Sequence, residues 1–371
     1  MSYAPRQKHG LGVRRNSSCA KRKASCAELR ARDLDSILTR TQSLWPELEG
    51  KKVFITGGTG FLGHWLTASL LEACDRYGLD CTVVLLTRDP DRFRRTAPSL
   101  ALHPALGLCI GDVRTFDFPS LKFTHIIHAA TESSRLSQDT PQGEVSRTII
   151  EGTKRVLRLA RTCPLERLLV VSSGAVYDGR ARPGTPISED LSPKPDSRTL
   201  DTSYGQAKLR AEAMALDASR RAGFSVTIAR GFAFLGPFLP YHCSLAIANF
   251  LFSVLRREPI VLTSDGSPIR SYMYTADSAV WFWTIFLRGV SGQAYNVGSS
   301  EAISLLELAR LMSKLEEPEL PVQLGSGPHT SRVWYLPDTT RARTELGLEC
   351  LFPLRTSLVR TLAWYRLQDQ T

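Results

Sequence analysis

Tyr204 and Lys208 stand four residues apart in "SYGQAKLRAEA", a stretch of helical periodicity, so the spacing puts both side chains on one helix face. A phenol ionises near pH 10, and bringing that to neutrality requires a shift of about 3 units, or about 4 kcal/mol. A cation about 5 Å away contributes roughly 3 kcal/mol at an effective dielectric of about 20. The Lys208 ammonium with one further positive group would therefore make Tyr204 a working acid or base. A third candidate is Ser173, in the hydroxyl pair that ends the apolar run "RLLVVSS". That location is the carboxyl end of a strand, where open α/β sheets bind their ligands. An isolated Tyr-x-x-x-Lys is usually an ordinary helix surface, so the surroundings decide.

The surroundings begin with "ITGGTGFLG", in which Gly57, Gly60 and Gly63 are spaced G-x-x-G-x-x-G between the strand "KKVFIT" and the helix "FLGHWLTASLLEACDRYG". Glycines there allow a tight turn and close backbone approach, and a helix N-terminus offers N–H groups and positive dipole to a pyrophosphate. This predicts a dinucleotide cofactor, with Phe61 and Leu62 in the binding turn and the nicotinamide ring as the second positive group beside Tyr204. The next strand ends in "LLTRDPDR", where an acidic residue would accept the ribose hydroxyls of NAD; Thr87 stands there instead, followed by Arg88. A guanidinium suits a 2′-phosphate, so the reading is NAD(P) with NADP slightly favoured over NAD. "GDVR" places Asp112 toward the adenine with Val113 beside it, and Ala129 in "HAA" completes the cofactor-binding residues.

The elements that hold these residues alternate. "CTVVLLT", "LGLCIGD", "THIIHAA", "RLLVVSS" and "FSVTIAR" read as buried strands, separated by helices such as "SRTIIEGTKRVLRLART". The fold class is α/β, a doubly wound parallel (Rossmann) sheet with a smaller C-terminal substrate-binding α/β region. The expected division is a basic, disordered tail over 1–45, a dinucleotide-binding domain over 46–230 and a substrate-binding region over 231–371.

The net charge of +11 points at first to nucleic acid, but residues 1–40 hold ten Lys or Arg against three Asp or Glu, and the rest of the chain carries only +4. No specific nucleic-acid partner is expected of the folded part. "SAVWFWTIFL" (Ser278 to Leu287) reaches about half of the roughly 20 residues of a membrane span, so no membrane association is expected. The eight cysteines are scattered, without a C-x-x-C pair or a histidine cluster at ligand spacing. This predicts no metal and a reducing, cytoplasmic setting.

With these pieces in order, the chain resembles the extended short-chain dehydrogenase/reductases, in particular the nucleotide-sugar epimerase/dehydratase group, over roughly Lys51 to Arg366. The matching segments are "TGGTGFLG", "GDVR", "HAA", "GTKRVL", "SSGAVY", "YGQAK", Gly236-Pro237, "RSYMYTADSA" and "YNVGS". The resemblance implies a nucleotide-sugar substrate, Ser173 bonding the reacting sugar oxygen, Tyr204 as acid/base and Lys208 as its electrostatic partner on the nicotinamide ribose. It also implies a homodimer and Arg270 directed at the substrate diphosphate, with Asn249 offering amide contacts.

Sugar 4,6-dehydratases carry an Asp and a Glu directly after the catalytic hydroxyl, because loss of water needs a proton donor and a base. Here Gly174 and Ala175 occupy those places, and neither moves a proton. The expected chemistry is therefore an NAD(P)-dependent epimerase or oxidoreductase reaction at a sugar carbinol. The alternatives are a 4,6-dehydratase with relocated carboxylates and a non-catalytic NADP sensor. Two further departures are Ile149 and Ala233, both at positions where the group usually has asparagine.

Overall fold

Seven short apolar segments pair in parallel: β1 (Lys52–Thr56), β2 (Thr82–Thr87), β3 (Leu106–Ile110), β4 (His125–His128), β5 (Arg167–Ser173), β6 (Ser225–Gly231) and β7 (Ala294–Val297). The computed structural model describes residues 14–131, 142–177, 182–191, 204–240, 245–325 and 334–368. The strand order is β7-β6-β5-β4-β1-β2-β3. The chain winds outward from β1 through β2 to β3, then returns to β4 on the other side of β1. That reversal opens a crevice at the carboxyl ends of β1 and β4, the place where doubly wound sheets bind ligands. Central strands read as continuous apolar runs because helices cover both faces; four of the five β1 residues are buried.

The helices that matter for the site are α1 (Arg14–Arg40), α2 (Phe61–Tyr77), α3 (Gln142–Ala160), α4 (Tyr204–Ala222), α5 (Ala246–Arg256), α6 (Thr275–Arg288), α7 (Leu305–Ser313) and α8 (Leu354–Gln368). The segment "SAVWFWTIFL" lies in α6, where twelve of fourteen residues are buried, so its apolarity serves the protein core. Among the described residues no helix is long and apolar enough to cross a membrane.

The expectation of a disordered tail over 1–45 is corrected for the described part of that stretch. In α1, Leu34, Ile37 and Leu38 form an i, i+3, i+4 stripe buried in the main core with Trp45 and Trp283. Three ion pairs among the described residues fasten it: Asp33 with Arg360 of α8, Asp35 with Arg76 of α2 at 2.8 Å, and Arg40 with Asp277 of α6 at 2.5 Å. Asp33 also accepts from the Tyr274 hydroxyl at 2.7 Å. The net basic charge hid an amphipathic helix. Residues 1–13 lie outside the described residues.

Nor does the sheet respect a boundary at 230/231, since β7 and α6 come from the later part of the chain. What remains there builds a cap of small strand pairs, including Ile269–Arg270 between Ile303–Ser304 and Trp334–Tyr335. Its own core joins Leu251, Val254, Leu308 and Met312 to Leu358 and Trp364.

Candidate active site

The glycine turn sits at the crevice between β1 and β4. Gly57 has φ +73°, and a Cβ there would lie 2.6 Å from the Ala129 carbonyl carbon and 2.7 Å from the Ala130 nitrogen. A Cβ on Gly63 would come within 2.1 Å of the Gly57 oxygen, so these two glycines let the turn close on itself and on β4. Gly60 differs. It is the exposed N-cap of α2 with no side chain capping the helix, and a Cβ on it would meet only the Gly57 oxygen, at 3.3 Å. The outer face of the turn is thus open above a helix N-terminus, which fits a pyrophosphate. Phe61 and Leu62, half-buried in the first turn of α2, pack toward the cap and the main core respectively.

Around this cradle, Arg88 is exposed just beyond β2. Asp112 follows β3 and accepts from the Arg114 backbone N at 2.9 Å and from Arg114 Nε at 2.8 Å. The Arg114 hydrogen bonds, assisted by the Arg88 charge, hold its carboxyl below the usual carboxylate range. Val113 is buried beneath α3, where a Cβ on Gly152 would meet its Cγ1 at 2.9 Å. Ala129 stays half-buried against Gly57 at the crevice.

Tyr204 opens α4 and Lys208 follows one turn later, with the Lys208 Nζ 5.9 Å from the centroid of the Tyr204 ring. The ammonium is buried and donates to the Val171 carbonyl at 2.8 Å and to Thr131 Oγ1 at 2.5 Å. Burial lowers its pKa to about 8. Val171 is two residues before Ser173, so Lys208 ties the tyrosine helix to the strand that carries Ser173. Gly205 makes this possible, because a Cβ there would lie 2.1 Å from the Ala175 carbonyl oxygen. Ser173, itself nearly buried, accepts from the Ala175 N at 3.2 Å, which turns its oxygen toward the chain reversal after β5. The structure therefore brings Ser173, Tyr204 and Lys208 together at the carboxyl edge of the sheet, beside the glycine turn.

Sequence reasoning missed the groups beneath them. Ser172 donates to Glu212, and Glu212 pairs with Arg230 at 2.7 Å. Arg230 in turn donates to the Tyr177 hydroxyl at 2.7 Å, and that hydroxyl donates to Asn296 Oδ1 at 3.0 Å. All of these are buried. Burial pushes the Tyr177 phenol up to about 12, so it is a structural donor. His128 is equally fixed, with Thr56 and Thr153 at 2.8 and 3.1 Å from its two ring nitrogens, and burial takes it down to about 3. It is a neutral strut beneath the glycine turn. Thr131, the Lys208 partner, had one available signal: a hydroxyl directly after "HAA".

In the cap, Arg270 is half-buried, and its guanidinium lies 5.5 Å from the centroid of the Tyr335 ring. Burial lowers its pKa from the ordinary arginine range. Asn249 is exposed on the outer face of α5, and no described contact joins it to Ser173 or Tyr204. Ile149 is buried with Val145, Ala207 and Ala211 in an apolar seam between α3 and α4, which explains why an amide is not needed to fill that position. Among the described residues no group of histidine, cysteine or acidic side chains could hold a metal ion.

Comparison with known proteins agrees with this fold. The model of the NAD dependent epimerase/dehydratase family matches residues 53–298, and the chain belongs to that family. A curated relative, UDP-glucuronic acid decarboxylase 1 of Arabidopsis thaliana, is 25% identical over 328 residues, 85% of this chain and 70% of the relative. UDP-glucose 4-epimerase of Thermotoga maritima, solved with UDP-glucose, superposes with a TM-score of 0.73 at 20% identity, covering 86% of this chain and 99% of the other. UDP-glucuronic acid 4-epimerase of Bacillus cereus, solved with UDP-glucuronic acid and NAD, gives 0.73 at 20% identity over 86% of this chain and all of that one. The likeness to these structures confirms the Rossmann-type α/β fold. The neighbours also include dTDP-glucose 4,6-dehydratase of Bacillus anthracis, solved with NAD, at 18% identity and a TM-score of 0.69 over 86% of this chain and 98% of that one.

Proposed function

We propose that this protein is a nicotinamide-dependent nucleotide-sugar epimerase or oxidoreductase that works at a sugar carbinol. The observation that carries the reading is the buried Lys208 ammonium, held by Val171 and Thr131 beneath Tyr204, at the edge of an open glycine cradle. Gly57, Gly60, Phe61, Leu62 and Gly63 would hold the pyrophosphate, with Asp112, Val113 and Ala129 lining the adenine side. A dinucleotide held there would supply a reversible hydride acceptor for the carbinol carbon. Ser173 would hold the reacting oxygen while Tyr204 takes its proton, the Lys208 charge favouring the phenolate. Residues 231–371 would supply the substrate contacts, with Arg270 on the diphosphate; the exposed Asn249 has no described contact that supports a place beside it.

Gly174 and Ala175 offer no proton carrier beside Ser173, which supports hydride chemistry without dehydration. A second reading is oxidation followed by decarboxylation, favoured by the names of the curated relatives. Loss of carbon dioxide from a β-keto acid needs no base, only a proton delivered afterwards to the carbon left behind. For the cofactor, the B. cereus neighbour binds NAD; Arg88 is the residue that would select a 2′-phosphate and NADP. A homodimer built on α3 and α4 is what the family resemblance implies, and six free cysteines among the described residues support a cytoplasmic setting. The test is Tyr204→Phe. It should keep dinucleotide affinity and lower turnover roughly 100-fold or more; a fully active variant would remove Tyr204 from the mechanism.

A further inference from the structure

Two acceptors hold the buried Lys208 ammonium, and only one of them belongs to the strand that carries Ser173. The Val171 carbonyl accepts at 2.8 Å from β5, and Thr131 Oγ1 accepts at 2.5 Å from the chain just past β4. Thr131 is itself held in place. The Ala129 and Ala130 amides before it donate to the Thr56 carbonyl and to Thr56 Oγ1, both at 3.1 Å. Gly57 closes on the same two residues, where a Cβ would meet the Ala129 carbonyl carbon at 2.6 Å and the Ala130 nitrogen at 2.7 Å. The Thr131 hydroxyl is therefore anchored to the floor of the glycine turn, 77 residues in sequence from the lysine that it meets.

We propose that Thr131 is a positioning residue, whose hydroxyl aims the Lys208 ammonium beneath Tyr204 and ties it to the glycine turn. Its effect on turnover rests on the nucleotide-sugar reading above; its effect on Lys208 does not. An ammonium has three N–H donors and no acceptor. With two spent on Val171 and Thr131, one remains, and the two bonds together decide where it points. Neither acceptor is a carboxylate. The titratable groups that face Lys208 are Tyr204 and Glu212 on its own helix and His128 on β4. Glu212 favours the ammonium but is bonded to Arg230 and Ser172, and His128 stays neutral between Thr56 and Thr153. The buried charge thus depends on neutral acceptors, and losing one leaves an N–H unsatisfied, which disfavours the charged form.

The test follows the Lys208 side chain by NMR across pH in the full chain labelled with carbon-13 lysine, its signal assigned by its loss in Lys208→Arg. Thr131→Val, which exchanges the hydroxyl for a methyl, should weaken proton binding at Lys208 roughly 10-fold, while the other lysines titrate as before. Thr131→Ser keeps the acceptor and should stay within about 2-fold of the unmodified protein. With UDP-glucose or UDP-glucuronate as substrate, the alkaline limb of kcat/KM should move down with the Lys208 titration in the Val variant and return in the Ser variant. An unshifted titration in Thr131→Val, or an equal shift in Thr131→Ser, would overturn the role of Thr131 whatever the activity does. A shifted titration with an unmoved activity limb would overturn its part in turnover. If the unmodified protein turns over neither sugar, the nucleotide-sugar reading loses its support, and the NMR titration still decides whether Thr131 positions Lys208.

Discussion

Replacing Glu212 with alanine tests how the candidate site is held up. Glu212 is 2% exposed and Arg230 7%, so water does not screen their pairing. Arg230 Nε and Nη2 both donate to this carboxylate, at 3.1 and 2.7 Å, and Ser172 donates to it as well. Glu212→Ala would strand a buried guanidinium whose remaining described partner is the Tyr177 hydroxyl, and breaking a buried pair in this way costs about 3–5 kcal/mol. Glu212→Gln keeps an acceptor oxygen and should cost about 1.5–3 kcal/mol, the scale of one hydrogen bond to a charged group. Glu212→Leu combined with Arg230→Met removes both charges and should lose less than Glu212→Ala alone. Urea unfolding read by circular dichroism gives the differences, with an unchanged m-value showing that the same surface unfolds. A loss below about 1 kcal/mol for Glu212→Ala would refute the picture of a dry, coupled pair supporting the Ser172–Ser173 strand end.

The Lys208 pKa, lowered to about 8 by burial, makes two opposite predictions in one pH range. Activity should fall as pH rises through about 8, because the charge that supports the Tyr204 phenolate is lost. Stability should instead rise between about 8 and the ordinary lysine value of 10.5, where the unfolded chain binds the proton and the folded chain does not. Paired kcat/KM and denaturation profiles check both, and a flat activity profile through pH 9 would show that Lys208 stays charged. At the cofactor site, Arg88→Ala should weaken NADP by about 1.5–3 kcal/mol and barely alter NAD. Equal losses in fluorescence titrations with the two dinucleotides would remove Arg88 as the selecting residue.

Local patterns made most of the nucleotide-binding half legible. The strand, glycine turn and helix around Gly57–Gly63 are contiguous, and the strands from β2 to β6 read as apolar runs, whereas β7, "AYNV", is too short and mixed to be read as one. Tyr204 and Lys208 were readable because helical spacing fixes their common face. Hidden from sequence were contacts made at long range: Glu212 with Arg230, Tyr177 with Asn296, and Tyr335 against Gly174. None of these residues has a type or spacing that names its partner. The α1 helix was obscured differently, since charge counting averages over a segment while burial depends on the one face carrying Leu34, Ile37 and Leu38.

The central claim is hydride chemistry at one carbinol without elimination, and solvent isotope tests it most directly. The purified protein would be incubated in deuterated water with NAD or NADP and either UDP-glucose or UDP-glucuronate, and the products followed by NMR. The account predicts a change confined to C4, with the original hydrogen retained there and no solvent deuterium at C6. A 6-deoxy ketone carrying deuterium at C6, or a pentose carrying deuterium at C5 with release of carbon dioxide, would contradict it.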